Sequence, residues 1–191
     1  MRQLSLTSGI AERPFPLNLV IAPETNIDSD LTREFLLDLL DASVEGRGEI
    51  EAIYPLLLEN LELLEPHFIY ELRSWGRETF PTLSKEKKIT IANALANLSR
   101  IIWAFPEGDL EIDLEIAIAC NELALELIDP SEFPEQWATI SNNLALTYNE
   151  RNFGDTVDND LTSYAHYDRA REIFPYQPFP QQWAKLGASQ F

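Results

Sequence analysis

A hexapeptide occurs twice in this chain, 46 positions apart: Phe133-Pro134-Glu135-Gln136-Trp137-Ala138 and Phe179-Pro180-Gln181-Gln182-Trp183-Ala184. Five of its six positions are identical, and chance seldom repeats a string holding Phe, Pro and Trp. A second echo relates Thr90-Ile91-Ala92-Asn93-Ala94-Leu95-Ala96 to Thr139-Ile140-Ser141-Asn142-Asn143-Leu144-Ala145 at a spacing of 49. Ala124 and Ala170 are again 46 apart. A period of this length holds two helices with their connections. Such a unit cannot bury its apolar face alone, so neighbouring units stack into a solenoid.

Apolar periodicity supplies the helices. From Ser29 onward apolar residues recur every three or four positions, as in Leu31, Phe35, Leu36, Leu39 and Leu40, with Asp30 as cap. Gly46 and Gly48 separate this helix from one over about Glu49 to Leu64, with Ile50, Ile53, Leu57, Leu61 and Leu64 inward and Pro55 kinking it. Pro66 opens a third helix that buries Phe68, Ile69, Leu72 and Trp75. The fourth spans about Ser84 to Phe105, the fifth Leu110 to Ile128, the sixth Pro134 to Arg151, and the seventh Asp160 to Phe174. Gln181 to Ser189 begins an eighth. No βαβ alternation and no hairpin signal is present. The expected fold is all-α, a right-handed solenoid of antiparallel helical hairpins. Residues 1–28, with three prolines, are an extended arm in which Leu17–Ala22 could form one short strand. Residues 29–83 make an N-terminal helical region, and 84–191 the repeats, the last one truncated.

Charge and composition exclude whole classes of function. Thirty-two acidic and 14 basic residues leave a net charge of −18, which repels a phosphate backbone, so nucleic acid is not an expected partner. No apolar run is long enough to span a bilayer, and Met1–Ile10 lacks the apolar stretch of a signal peptide; no membrane role and a cytoplasmic location are expected. From Asp109 to Glu132 there are eight carboxylates and no basic residue, which reads as a solvated face, the alternative being a docking surface for a basic partner. Lys85, Lys87 and Lys88 follow Ser84, an N-cap candidate, and oppose the helix dipole; pairing with acidic neighbours accounts for them.

The residue types explain how hairpins approach. Ala145 is small where two helices cross and Tyr148 is large one turn later, while Ser163, Tyr167 and Ala170 alternate size on one face before Pro175. This arrangement, with Leu144, resembles the tetratricopeptide repeat. The earlier unit aligns through Leu95, Ala96, Ala117 and Ala124, with Ser99 at the usual aromatic position and Asn121 where a large apolar residue is usual. The stretch from Phe133 to Arg151 is similar to cyanobacterial tetratricopeptide proteins. Tyr54-Pro55-Leu56-Leu57-Leu58-Glu59-Asn60-Leu61 and Leu114–Ala119 resemble the region preceding such repeats. Many of those relatives continue into a caspase-like CHAT protease domain, and the residues here end within the first helix of a third unit. The resemblance implies a non-enzymatic scaffold binding a protein or peptide. Its alternative is a regulatory or sensor segment of a CHAT protease system.

No catalytic constellation emerges. Cys120 sits in an apolar stripe between Ala117 and Ala124, as a buried thiol does. His67 and His166 lie far apart and read as packing or surface residues. Asp155, Asp158 and Asp160 lack the glycine and glutamate of a calcium loop. No phosphate-binding loop or nucleophile elbow occurs. No enzyme activity, cofactor or metal site is therefore expected, and homo-oligomer formation stays open. Tetratricopeptide geometry places the first helix of each unit on the concave side. Counted from Leu95 and Leu144, the inward residues are Thr90, Asn93, Asn97 and Arg100, then Thr139, Asn142, Leu146 and Asn149. Asn93, Asn97, Arg100, Asn142 and Asn149 are the expected partner-binding set. Asparagines offer donors and acceptors to a peptide backbone, and Arg100 offers a fork to a carboxylate.

Overall fold

The computed structural model describes residues 29–173. The N-terminal arm, the run Leu17–Ala22, the second hexapeptide with Trp183 and the eighth helix lie outside those residues. Within them the chain is all-α: α1 (Ser29–Glu45), α2 (Ile50–Glu59), α3 (Pro66–Thr79), α4 (Lys85–Trp103), α5 (Leu110–Leu127), α6 (Pro134–Glu150) and α7 (Thr156–Ile173), with 3₁₀ turns at Leu61–Leu63 and Phe80–Thr82.

Local chemistry sets these boundaries. Ser84 is extended and its Oγ accepts from the Lys87 amide at 3.4 Å, satisfying one orphan donor of α4. Asp109 caps α5, accepting from the amides of Glu111 at 3.0 Å and Ile112 at 3.3 Å. Proline at the first position starts α3 and α6, where its missing N–H costs nothing. Two boundaries differ from the sequence expectation. α7 begins at Thr156 rather than Asp160, because Asp155 accepts from the amides of Val157 at 2.9 Å and Asp158 at 3.1 Å. α2 stops at Glu59 rather than Leu64, where Asn60 leaves the helical backbone, its side-chain amide donates to the Leu56 carbonyl at 2.9 Å, and the chain tightens into the 3₁₀ turn, while Pro55 is carried inside the helix. Ile50, Leu61 and, on α1, Leu31 lie exposed rather than inward.

α4 packs along α5 across a six-residue connection, and α6 along α7 across five. α5 also packs on α6, α1 lies against α4 and α3, and α3 lies against α5. Leu36, Leu39, Ile53, Leu57, Phe68, Leu72, Leu95, Leu98, Ile101 and Ile102 are fully buried in one continuous core. Trp137 and Phe133 are half-buried and pack against it.

The first helices of the two hairpins repeat at 46 in most of their buried positions. Six of the seven buried positions of α4, namely Ala92, Ala94, Leu95, Leu98, Ser99 and Ile101, become Ala138, Ile140, Ser141, Leu144, Ala145 and Thr147 on α6, while the seventh, Ile102, becomes the half-buried Tyr148. The caps Asp109 and Asp155 obey the same spacing, as do Gly108 and Gly154. So do Asp113 and Asn159, whose amides donate to the Asp109 and Asp155 carbonyls at 2.8 and 3.0 Å. The spacing of 49 expected for α4 and α6 is therefore corrected by three residues, almost one helical turn. Leu98, Ser99 and Ile102, not Leu95 and Ala96, are the counterparts of Leu144, Ala145 and Tyr148. A three-residue slip keeps apolar residues on roughly the same face, which is why the echo at 49 is plausible in sequence and wrong in space.

Candidate binding groove

α1, α4 and α6 border an open groove of about 780 Å³. Ser43 and Val44 of α1 and Arg47 of the following turn form one wall. α4 supplies Thr90, Asn93, Ala94, Ala96, Asn97 and Arg100. α6 supplies Glu135, Gln136, Thr139, Ile140 and Asn143. On α4 and α6 the lining residues, single or in adjacent pairs, recur every three to four positions, so the lining is one stripe per helix.

Of the five expected residues, the structure brings Asn93, Asn97 and Arg100 together here. Asn142 is 3% exposed, buried in the packing of α6, and does not line the groove. Asn149 is exposed but lies outside it. Leu146 is likewise absent from the lining, whereas Thr90 and Thr139 take part. The error follows from the register: at a spacing of 46, Asn93 corresponds to Thr139 and Asn97 to Asn143. The sequence reading missed Arg47, Gln136 and Asn143. The hexapeptide spacing, carried through α6, would have found Asn143 and Gln136. Nothing local pointed to Arg47, which a turn delivers.

That turn is specialised. Gly48 has φ of 74° and Arg47 of 51°, both in the left-handed region. A Cβ on Gly48 would collide with the Asn97 side chain. Arg100 donates from Nη2 to the Gly48 carbonyl at 3.2 Å, tying the turn to α4. Arg33, Arg73, Lys85 and Arg151 are each held by carboxylates elsewhere. Arg47 and Arg100 have no carboxylate partner among the described residues, so the groove holds two arginines against one Glu135.

The remaining candidate residues serve packing. Cys120 is buried, and desolvation pushes its thiol up to about 12. His67 is hydrogen-bonded to Ser29 Oγ at 3.0 Å. His166 stacks on Tyr148 at 6.5 Å with Nδ1 3.2 Å from Ser141 Oγ, and burial pushes its imidazole down to about 4. A polar chain crosses the helices beside it. Arg73 and Tyr148 both donate to Glu122, at 2.6 and 2.8 Å, and Arg151 grips Glu115 with a fork at 2.5 and 2.9 Å. Lys85 pairs with Glu132 at 2.7 Å and lies over Phe133, so the acidic neighbour expected for it is present. Among the described residues no group of His, Cys, Asp or Glu forms a metal site, and no helix is long and apolar enough to cross a membrane.

Against known protein families, characterised proteins and solved structures, the chain has no match.

Proposed function

We propose that the chain is a non-enzymatic interaction scaffold, and that the groove between α1, α4 and α6 binds an extended peptide segment of a protein partner. The carrying observation is the groove's composition. Asn93, Asn97, Gln136 and Asn143 offer amide donors and acceptors and Thr90 and Thr139 offer hydroxyls, beside an apolar strip made by Val44, Ala94, Ala96 and Ile140. Such a lining suits the unpaired N–H and C=O groups of an extended backbone. Arg100 spends one donor on Gly48 and keeps the others for an acidic group of the partner. The repeat of α4–α5 as α6–α7 at 46 supports reading the hairpins as successive units of a tetratricopeptide-like solenoid, and the resemblance seen in sequence supports the same reading.

The test begins with a peptide selected on the whole chain from a display library. It is then titrated against wild type, Arg100→Ala, Asn97→Ala and Asn149→Ala. Loss of a charged hydrogen bond typically costs about 1.5–3 kcal/mol, so Arg100→Ala should weaken binding tenfold or more. Asn97→Ala should weaken it less, and Asn149→Ala should leave it unchanged. Equal affinity across all four proteins would remove the groove from the function.

A further inference from the structure

Asp113 is 1% exposed and its Oδ1 has no hydrogen-bond partner. It stands in the first turns of α5, with its carboxyl group filling the space beside the Gly108 backbone where a side chain would otherwise lie. Its counterpart 46 residues on shows what the position does. Asn159 is also buried, follows an equivalent Gly-Asp pair, and uses its amide to donate to the Arg151 carbonyl at 3.2 Å and the Phe153 carbonyl at 2.9 Å. Asn159 thus latches the α6–α7 connection onto the start of α7. At the same spacing, the residues that correspond to Arg151 and Phe153 are Phe105 and Glu107, whose carbonyls are the candidate acceptors for Asp113.

A carboxylate has no proton to donate to a carbonyl; a carboxylic acid has one. We propose that Asp113 is a protonation-dependent latch: as the neutral acid it donates to the α4–α5 connection as Asn159 does to its own, and ionisation releases that connection. The charges around it leave the ionised form unsupported. Asp109 at the cap is a like charge, and of the cations on the helices packed against α5, Arg73 of α3 is held by Glu122 and Arg151, at the end of α6, by Glu115. No basic residue of α4 pairs with Asp113 among the described residues. Burial and Asp109 together push the carboxyl up to about 7, which places the release near neutrality. The released segment is not isolated. Phe105 meets Tyr54 of α2 edge to face at 5.2 Å, and the Tyr54 hydroxyl donates to the Ala104 carbonyl at 3.3 Å. Opening the connection therefore loosens α2 as well.

The test is amide hydrogen exchange of the full chain, corrected for intrinsic rates, in wild type and Asp113→Asn at about pH 5.5 and about pH 8.5, either side of the expected midpoint. Wild type should lose protection at 104–109 and in α2 by several-fold at the higher pH. Asp113→Asn, with an amide that donates at any pH, should keep it. Parallel behaviour of the two proteins would overturn the proposal. Should the variant fail to fold, the carboxyl-carbon titration of Asp113 in wild type decides: a midpoint above roughly pH 6 supports the latch, and a lower one, nearer the ordinary carboxyl value, refutes it.

Discussion

At the residue scale, position in the repeat outranks residue type. Asn97 and Asn142 are both asparagines on paired helices, yet one faces the groove and the other the interior. Asn142→Ala should therefore lower stability and leave peptide affinity intact, whereas Asn97→Ala should do the reverse; paired melts and titrations separate the two. Gly48 is constrained twice, by its φ of 74° and by Asn97 against its α-carbon. A left-handed conformation costs an L-residue roughly 1–2 kcal/mol, so Gly48→Ala should lose at least that in chemical denaturation and also disturb the groove through Asn97. Glu115 and Arg151 form a buried pair, their side chains 5% and 8% exposed. Breaking such a pair from one side leaves a charge in the interior. Glu115→Gln should cost about 3–5 kcal/mol, read from the urea midpoint.

Elements behave as their ends and contacts dictate. The Asp-capped helices α5 and α7 begin where a side-chain acceptor meets the first free amides, and this made α7 start four residues earlier than its apolar pattern implied. Between α6 and α7, His166 is held neutral by burial. Its native pKa of about 4 lies below the ordinary 6.5, so the unfolded chain binds the extra proton. The stability His166 contributes is complete above about pH 6.5 and is lost as pH falls through about 4. His166→Phe, keeping the stack on Tyr148, should flatten that acid limb of the melting curve. Asp113 has the opposite sign. Its raised pKa gives stability that is complete below about pH 4 and lost as pH rises through about 7, so the two slopes oppose one another in the mildly acidic range.

At the scale of the whole molecule, the described helices share their neighbours unevenly. α5 is flanked by α3, α4 and α6, whereas α7 packs almost wholly on α6 and leaves Val157 and Leu161 exposed among the described residues. Local opening is easiest where fewest neighbours hold an element. Amides of α7 should therefore exchange before those of α5 under native conditions, and equal protection in both helices would contradict this. Trp75 is 6% exposed and meets Phe80 edge to face at 5.6 Å, while Trp137 is half-buried. Trp75→Ala should cost about 3–5 kcal/mol and Trp137→Ala less, measured by denaturant midpoint.

The repeat and the helical periods were legible in the chain alone. Apolar spacing is a local consequence of 3.6 residues per turn, so Phe35, Leu39, Leu57, Phe68, Leu72 and Leu98 announce their burial without any knowledge of partners. The hexapeptide likewise carried the true period of 46 in plain view. What only the tertiary structure decided is which face of each helix meets which neighbour. Two registers three residues apart bury nearly the same apolar stripe, and they are told apart by contacts between helices, such as Asn121 donating to Ser99 at 2.6 Å and Ser163 to the Ala145 carbonyl at 2.7 Å. The groove depends on that choice, because rotating α6 by one residue exchanges Asn142 for Asn143. It depends also on a turn more than fifty residues upstream of α6 in sequence, where left-handed backbone at Arg47 and Gly48 sets a wall that no periodicity encodes.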